Sequence, residues 1–317
     1  MQKFYSGKIK KSERIDRLIE NLFRKMPEIE ADRAVLLTES FKSTENEPLI
    51  IRKAKAFEHI LKNIPIVIRS EELIVGSATK APRGCQTFPE FSYKWLEDEF
   101  DTIATRDADP FYISDETKVK LKEANAYWSG KTTSELATSY MDERAAAAIE
   151  HNIFTPGNYF YNGVGHVTVK YDEVLKTGFR GIIDRTKSEL ESHSVGEPDY
   201  SVRHEFLKAV IISCEAAVTY AKRYAALARE LSQKESDIVR SRELLKIAEN
   251  CERVPEYGAR NFYEACQSFW FVQMLIQIES SGHSISPGRF DQYMYPYYKN
   301  DIVSGAITRE FAQELMD

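Results

Sequence analysis

The chain is poor in the features that assign most proteins a chemistry at sight. Its four cysteines, Cys85, Cys214, Cys251 and Cys266, are scattered over 317 residues with no CxxC pair, which removes zinc-ribbon and dithiol redox readings and leaves most of them as small buried hydrophobes. There is no HExxH, no P-loop, no G-x-S-x-G elbow and no dinucleotide fingerprint, so common hydrolase, kinase and dehydrogenase machineries lack their parts. The six histidines, at 59, 151, 166, 193, 204 and 283, have no metal-ligand spacing. A net charge of −6 gives no positive field for a polyanion, so nucleic acid is not an expected partner. No run approaches the roughly 20 apolar residues of a membrane span, and Met1 to Lys11 is basic without the apolar core of a secretory signal. The expectation is a cytoplasmic protein with no membrane partner.

What is present is a hydrophobic fraction of 43%, enough for a large core, patterned mostly at helical spacing. Ile15, Leu18, Ile19, Leu22, Phe23 and Met26 recur at three- and four-residue steps behind Ser12, a predicted N-cap, and Pro27 stops them. A second helix is predicted over about Glu28 to Phe41 and a third from Pro48, carrying Ala54, Phe57 and Leu61. Ile64 to Ile68 and Leu73 to Val75 are short β-branched runs that predict a small hairpin or neighbouring strands. Ser114 with Asp115 and Glu116 starts a helix that Gly130 should end, and Thr132 starts another. A long helical run over Tyr200 to Gln233 is followed by a helix to about Cys251, an expected antiparallel partner, and by an almost wholly apolar one from Asn261 to Ile278. The polar stretch Glu189 to Asp199 is a predicted surface loop, and Thr308 caps a last helix with Phe311 and Leu315 facing inward. No repeat or Gly/Ser-rich linker divides the chain, so one continuous domain over 1–317 is expected, predominantly α with a few short strands. That last helix meets no terminating residue before Asp317, so the chain is expected to stop inside an element.

Two stretches break the helical pattern with glycine and polar residues among aromatics. The first, Thr155 to Val167, carries Gly157, Gly163 and Gly165 and delivers His166 at the start of the strand-like Val167-Thr168-Val169. Histidine is the side chain best suited to proton transfer near neutral pH, so His166 is a candidate acid or base; the plainer alternative is a structural hydrogen-bonding group. The second, Glu279 to Tyr293, leaves the apolar helix directly. It is expected to place His283 and the hydroxyls of Ser281 and Ser284 in the interior, where a polyhydroxy substrate is one possible partner. The alternative is a helix terminus capped by serines.

These stretches, Gly157-Asn158-Tyr159-Phe160-Tyr161-Asn162-Gly163-Val164-Gly165-His166 and Ser286-Pro287-Gly288-Arg289-Phe290-Asp291-Gln292-Tyr293-Met294-Tyr295-Pro296-Tyr297, resemble the glycyl radical enzymes, the group of pyruvate formate-lyase. Leu73 to Ser77, Phe88 to Phe91 and Gly130 to Ser134 extend the resemblance through essentially the whole chain. It implies a ten-stranded α/β barrel wrapped in helices, of which residues 1–317 would supply outer helices and part of the wall. The narrower likeness is to cobalamin-independent glycerol and 1,2-propanediol dehydratases, and it implies that His166 and Ser284, with His283, contact a small diol and that His166 is the catalytic acid. It also implies a glycyl radical, with no cofactor bound directly, installed by a separate iron–sulfur protein that uses S-adenosylmethionine, and a homodimer. The family's Cys-x-Glu motif and radical glycine have no counterpart here, because the cysteines are followed two residues later by Thr87, Ala216, Arg253 and Ser268. The chain alone is therefore expected to be an inactive N-terminal part that aggregates without the rest. Other members, choline trimethylamine-lyase, hydroxyproline dehydratase and pyruvate formate-lyase (formate C-acetyltransferase), remain open alternatives, as does a helical interaction module.

Overall fold

The structure is a computed structural model that describes residues 12–155, 161–163, 165–192, 194–282 and 284–317. Helix α1 (Glu13–Phe23) begins where Ser12 Oγ accepts the amide of Ile15. The next segment departs from the expected helix: Glu28–Glu30 is a strand, β1, and α2 (Asp32–Ser43) starts only after it. The reason is tertiary. The buried carboxylate of Glu30 accepts the amides of Lys80 (3.0 Å) and Ala81 (2.8 Å), which draws β1 alongside β2 (Gly84–Gln86). The two pair in parallel, Glu28 with Gly84 and Glu30 with Gln86.

Helix α3 (Leu49–Asn63) follows Pro48 as the sequence indicates. The runs Ile64–Ile68 and Leu73–Val75, expected to pair as strands, join no ladder. Side chains take the place of a neighbouring strand. Gln267 accepts the Val75 amide at 2.9 Å and donates to its carbonyl at 2.6 Å, Tyr263 donates to the Leu73 carbonyl, and Arg223 donates to the carbonyls of Leu61 and Ile64. Two residues beyond Val75, Tyr224 accepts the Ser77 amide and Tyr220 donates to its carbonyl. Buried backbone groups must be paired, and a polar side chain from a packed helix satisfies them as well as a strand does.

Helix α4 (Lys94–Asp98) leads through a 3₁₀ turn to α5 (Asp115–Trp128), α6 (Thr133–Ser139) and α7 (Glu143–Glu150). The expected caps are in place: Ser114 Oγ accepts from Thr117, Thr132 forms a capping box with Glu135, and Gly130 takes φ 75° past the end of α5. Helix α8 (Tyr171–Ser192), kinked at the non-helical Gly178, was not expected from the sequence, and its last residues, Glu189–Ser192, correct the start of the expected surface loop, which begins only after them. The 35-residue α9 (Tyr200–Lys234) then packs along α3, α8 and α10 (Ile238–Arg253). Helix α11 (Phe262–Ser280) is buried along most of its length, and α12 (Phe290–Ser304) and α13 (Arg309–Met316) pack against it.

The main core joins Leu61, Ile64 and Val75 to Tyr220, Tyr224 and Phe271, all fully buried. Beside it an apolar groove of about 570 Å³ opens between α3, α8, α9 and α11, with Phe57, Phe179, Val210 and Val272 on its walls. No helix among the described residues is long and apolar enough to cross a membrane.

The pairing of Val75 with Gln267 gives a direct test. Gln267→Ala strands a buried amide and a buried carbonyl, so the unfolding free energy should fall by about 2–5 kcal/mol in urea titration. Val303→Ala, at an exposed site, should change it by less than about 0.5 kcal/mol.

Candidate functional site

Three elements converge to build the site: the loop leading into α8, the C-terminal end of α11 and the start of α12. At the end of α11, Ser281 and Gly282 both take left-handed conformations (φ 63° and 71°), so the chain turns sharply instead of fraying. It then runs through Ser284 to Ser286, where it meets the other loop. The amide of Ser286 donates to the carbonyl of Val167 at 2.9 Å, and Thr168 and Ser286 form a parallel bridge. His166 and Ser284 each lie two residues before their bridge partner, on strands running the same way. Both are left-handed, with φ 59° and 56°.

Neighbouring side chains hold this arrangement in place. Tyr293 donates to the Pro287 carbonyl at 2.7 Å and stacks on Tyr171, and Gln273 donates to the Ile285 carbonyl at 3.5 Å. The Tyr171 hydroxyl in turn donates to Gln273 Oε1. Burial pushes the Tyr171 phenol up to about 12 and that of Tyr293 higher still, so both remain neutral donors at physiological pH. Two glycines allow the close approach. A Cβ at Gly288, which has φ 65°, would lie 2.9 Å from Thr168 Cγ2. A Cβ at Gly163 would lie 2.6 Å from the Ser280 carbonyl oxygen and 2.9 Å from the Phe91 ring. A cavity of about 320 Å³ adjoins both turns, touching Asn162 and Ser281 and reaching Cys85, Gln86 and Asn125.

The structure therefore brings the segments of His166 and Ser284 together across 118 residues of sequence. It does not enclose them: both residues are exposed, so the interior placement expected for Ser284 is corrected, whereas the Ser281 hydroxyl is buried as expected. Helix α11 is buried, but its C-terminal end reaches the edge of the helical body, and the turn emerges onto an open face. His283, the third candidate, and Gly157 to Phe160 of the first stretch lie outside the described residues. Among the described residues no group of three or more His, Cys, Asp or Glu side chains is placed to hold a metal ion.

The sequence reading missed Arg33, which lies 1% exposed beneath the second turn. Its guanidinium donates to the carbonyls of Ile278 (2.6 Å) and Glu279 (3.0 Å) and pairs with Glu90 at 2.6 Å. A signal was present, since a cation at the second residue of a helix opposes the dipole and needs another reason to be there. The cysteines offer no reactive thiolate. Burial pushes Cys214 and Cys266 up to about 12, and raises Cys85 and Cys251 as well.

The chain belongs to the pyruvate formate lyase-like proteins, whose family model matches residues 9–317. The likeness to glycyl radical enzymes inferred from the two glycine-rich stretches is borne out, and with it the predominantly helical fold. The solved structure describing 1,2-propanediol dehydration in Roseburia inulinivorans is 63% identical over 98% of this chain, with a TM-score of 0.95. The glycerol-bound B12-independent glycerol dehydratase of Clostridium butyricum is 55% identical over 98% of the chain, with a TM-score of 0.93. The (2S)-3-sulfopropanediol dehydratase of Klebsiella oxytoca is 37% identical over 96%. The chain spans 37%, 39% and 37% of the lengths of those three proteins.

Two measurements check this geometry. Gly163→Ala should cost about 1–3 kcal/mol of stability through overpacking against Ser280 and Phe91, read as a lower urea midpoint. A thiol with a pKa of about 12 is ionised at roughly one part in ten thousand at pH 8, so iodoacetamide should label native Cys214 and Cys266 orders of magnitude more slowly than the unfolded chain. Because the folded values are raised, the labelling rate should keep climbing above pH 9, where an ordinary thiol has levelled off.

Proposed function

We propose that this chain is the His- and Ser-bearing part of a glycyl radical lyase that removes water from a small vicinal diol. The observation that carries the reading is the Thr168–Ser286 bridge, which sets His166 and Ser284 on adjacent parallel segments. One is suited to protonating a leaving hydroxyl and the other to orienting its neighbour. The comparisons support the same substrate class, since identity is higher to the proteins handling 1,2-propanediol and glycerol than to the one handling a sulfonated diol. Glycerol or 1,2-propanediol is the proposed substrate and the corresponding aldehyde the product.

In this scheme the radical resides on a glycine outside the present residues and abstracts hydrogen through a cysteine, also outside them. A separate activating protein that uses S-adenosylmethionine and an iron–sulfur cluster installs it. His166 donates a proton to the departing hydroxyl, and Ser284, with His283, fixes which carbon faces the radical. The open face over the two residues is covered by the further length that the relatives possess. A homodimer in the cytoplasm completes the reading.

The test uses the full-length protein that contains these residues, activated under strict anaerobic conditions. His166→Ala should lower turnover of glycerol or 1,2-propanediol by on the order of a hundredfold or more. Ser284→Ala should mainly raise KM. Wild-type protein that consumes neither diol, or a His166→Ala variant within a few-fold of it, would sink the proposal.

A further inference from the structure

We infer that Arg33 is the positioning residue for the proposed substrate turn, a role that rests on the diol reading of that turn. Arg33 is the second residue of α2, where the helix dipole opposes a cation, and it is 1% exposed, where desolvation opposes it again. Its bonds lie elsewhere. Nε donates to the Ile278 carbonyl at 2.6 Å; Nη1 donates to the Thr87 carbonyl and to Glu90 Oε2, each at 3.2 Å; Nη2 donates to Glu90 Oε1 at 2.6 Å and to the Glu279 carbonyl at 3.0 Å. The guanidinium has five N–H donors and all five are used. Its plane also rests on the Phe88 ring, 3.8 Å from the centroid.

Two of those acceptors decide the role. Ile278 and Glu279 lie in the last turn of α11, whose carbonyls have no helical partner and carry the negative end of the dipole. Ser284 stands only five residues beyond Glu279. The other acceptors, Thr87 and Glu90, belong to the segment that ends in Phe91, and the Phe91 ring lies where Gly163 of the first turn approaches the Ser280 carbonyl. One buried guanidinium therefore fastens the end of α11 to the segment that backs the first turn. The spacing between the His166 and Ser284 segments is set from beneath, by a residue that touches no substrate. Lysine cannot replace it, because three donors on a point charge do not reach five acceptors in a plane.

The experiment uses the full-length protein without activation, since binding of the diol requires no radical. Wild type, Arg33→Lys, Glu90→Gln and Leu244→Ala are compared by calorimetric affinity for glycerol and 1,2-propanediol, by amide exchange over residues 284–290, and by melting temperature. Leu244 is buried in α10 and serves as a core-cavity control. Arg33→Lys should weaken diol binding at least tenfold and speed exchange of the turn by a similar factor. Glu90→Gln, which keeps the guanidinium and removes only its counter-charge, should do both to a smaller extent, about threefold, and carries the test if Arg33→Lys does not fold. Leu244→Ala should lower the melting temperature as much while leaving affinity and turn exchange unchanged. Equal affinity and exchange in wild type and in the foldable Arg33 or Glu90 variant, or equal loosening of the turn by Leu244→Ala, would overturn the inference. If wild type binds neither diol while Arg33→Lys still loosens the turn, the diol reading fails and the positioning role stands.

Discussion

Burying α11 on almost every side makes an unpaired polar atom costly, and Glu264, Gln267, Gln273 and the C-terminal carbonyls all find partners inside the protein, although the buried Ser268 hydroxyl has none among the described residues. Glu264, fully buried, is held by Arg260 and by the amide at position 260. Gln267 is spent on Val75, Gln273 on Tyr171 and Ile285, and the C-terminal carbonyls on Arg33. An unpaired polar atom at any of these depths costs on the order of 1–3 kcal/mol. Rotating the helix by one residue would break several pairings at once, so α11 has one acceptable orientation. The direction in which the second turn leaves it follows from that.

Where local chemistry decides the structure, the sequence was readable. Ser12, Ser114, Thr132 and Thr308 each cap the helix they were expected to cap, because the capping oxygen and its amide lie within three residues of each other. Tyr200–Lys234 and Ile238–Arg253 were legible from their apolar spacing. Ile64–Ile68 and Leu73–Val75 were expected as paired strands and are not, since the backbone partners of Ile64, Leu73 and Val75 are side chains 159, 190 and 192 residues away. Glu28–Glu30 was read as helix for the same kind of reason: its pairing with Gly84–Gln86 is fixed by Glu30 and the amides of residues 80 and 81, which no local pattern reveals. Helix α8 escaped notice because Gly178 and Gly181 interrupt its pattern.

The candidate site divides along the same line. The residue types were visible, because glycines clustered around a lone histidine and around serines mark backbone that must turn tightly. Their mutual placement was not, since it depends on a bridge between positions 168 and 286. Their exposure was misjudged because a polar turn leaving an apolar helix was assumed to stay in the interior. The helix end decides that, and the end of α11 lies at the margin of the body. Arg33, which fixes that end, sits more than 240 residues earlier in the chain.

The two left-handed residues show why the arrangement suits chemistry better than mere capping. A non-glycine residue with φ near 60° costs on the order of 1 kcal/mol and persists only where its surroundings over-determine it. Here two such residues, His166 and Ser284, occupy matching positions at the mouth of a parallel bridge. The bridge is isolated, so backbone pairing between the two segments is confined to the neighbourhood of positions 168 and 286. A serine serving only as a helix cap has no need to match a histidine in register on another segment. A diol, with two oxygens on adjacent carbons, does need two such groups at a fixed spacing. Under the proposed function water competes with the diol while the face is open, and the two groups would select it only once the solvent over them is displaced and their hydrogen bonds act in a low dielectric.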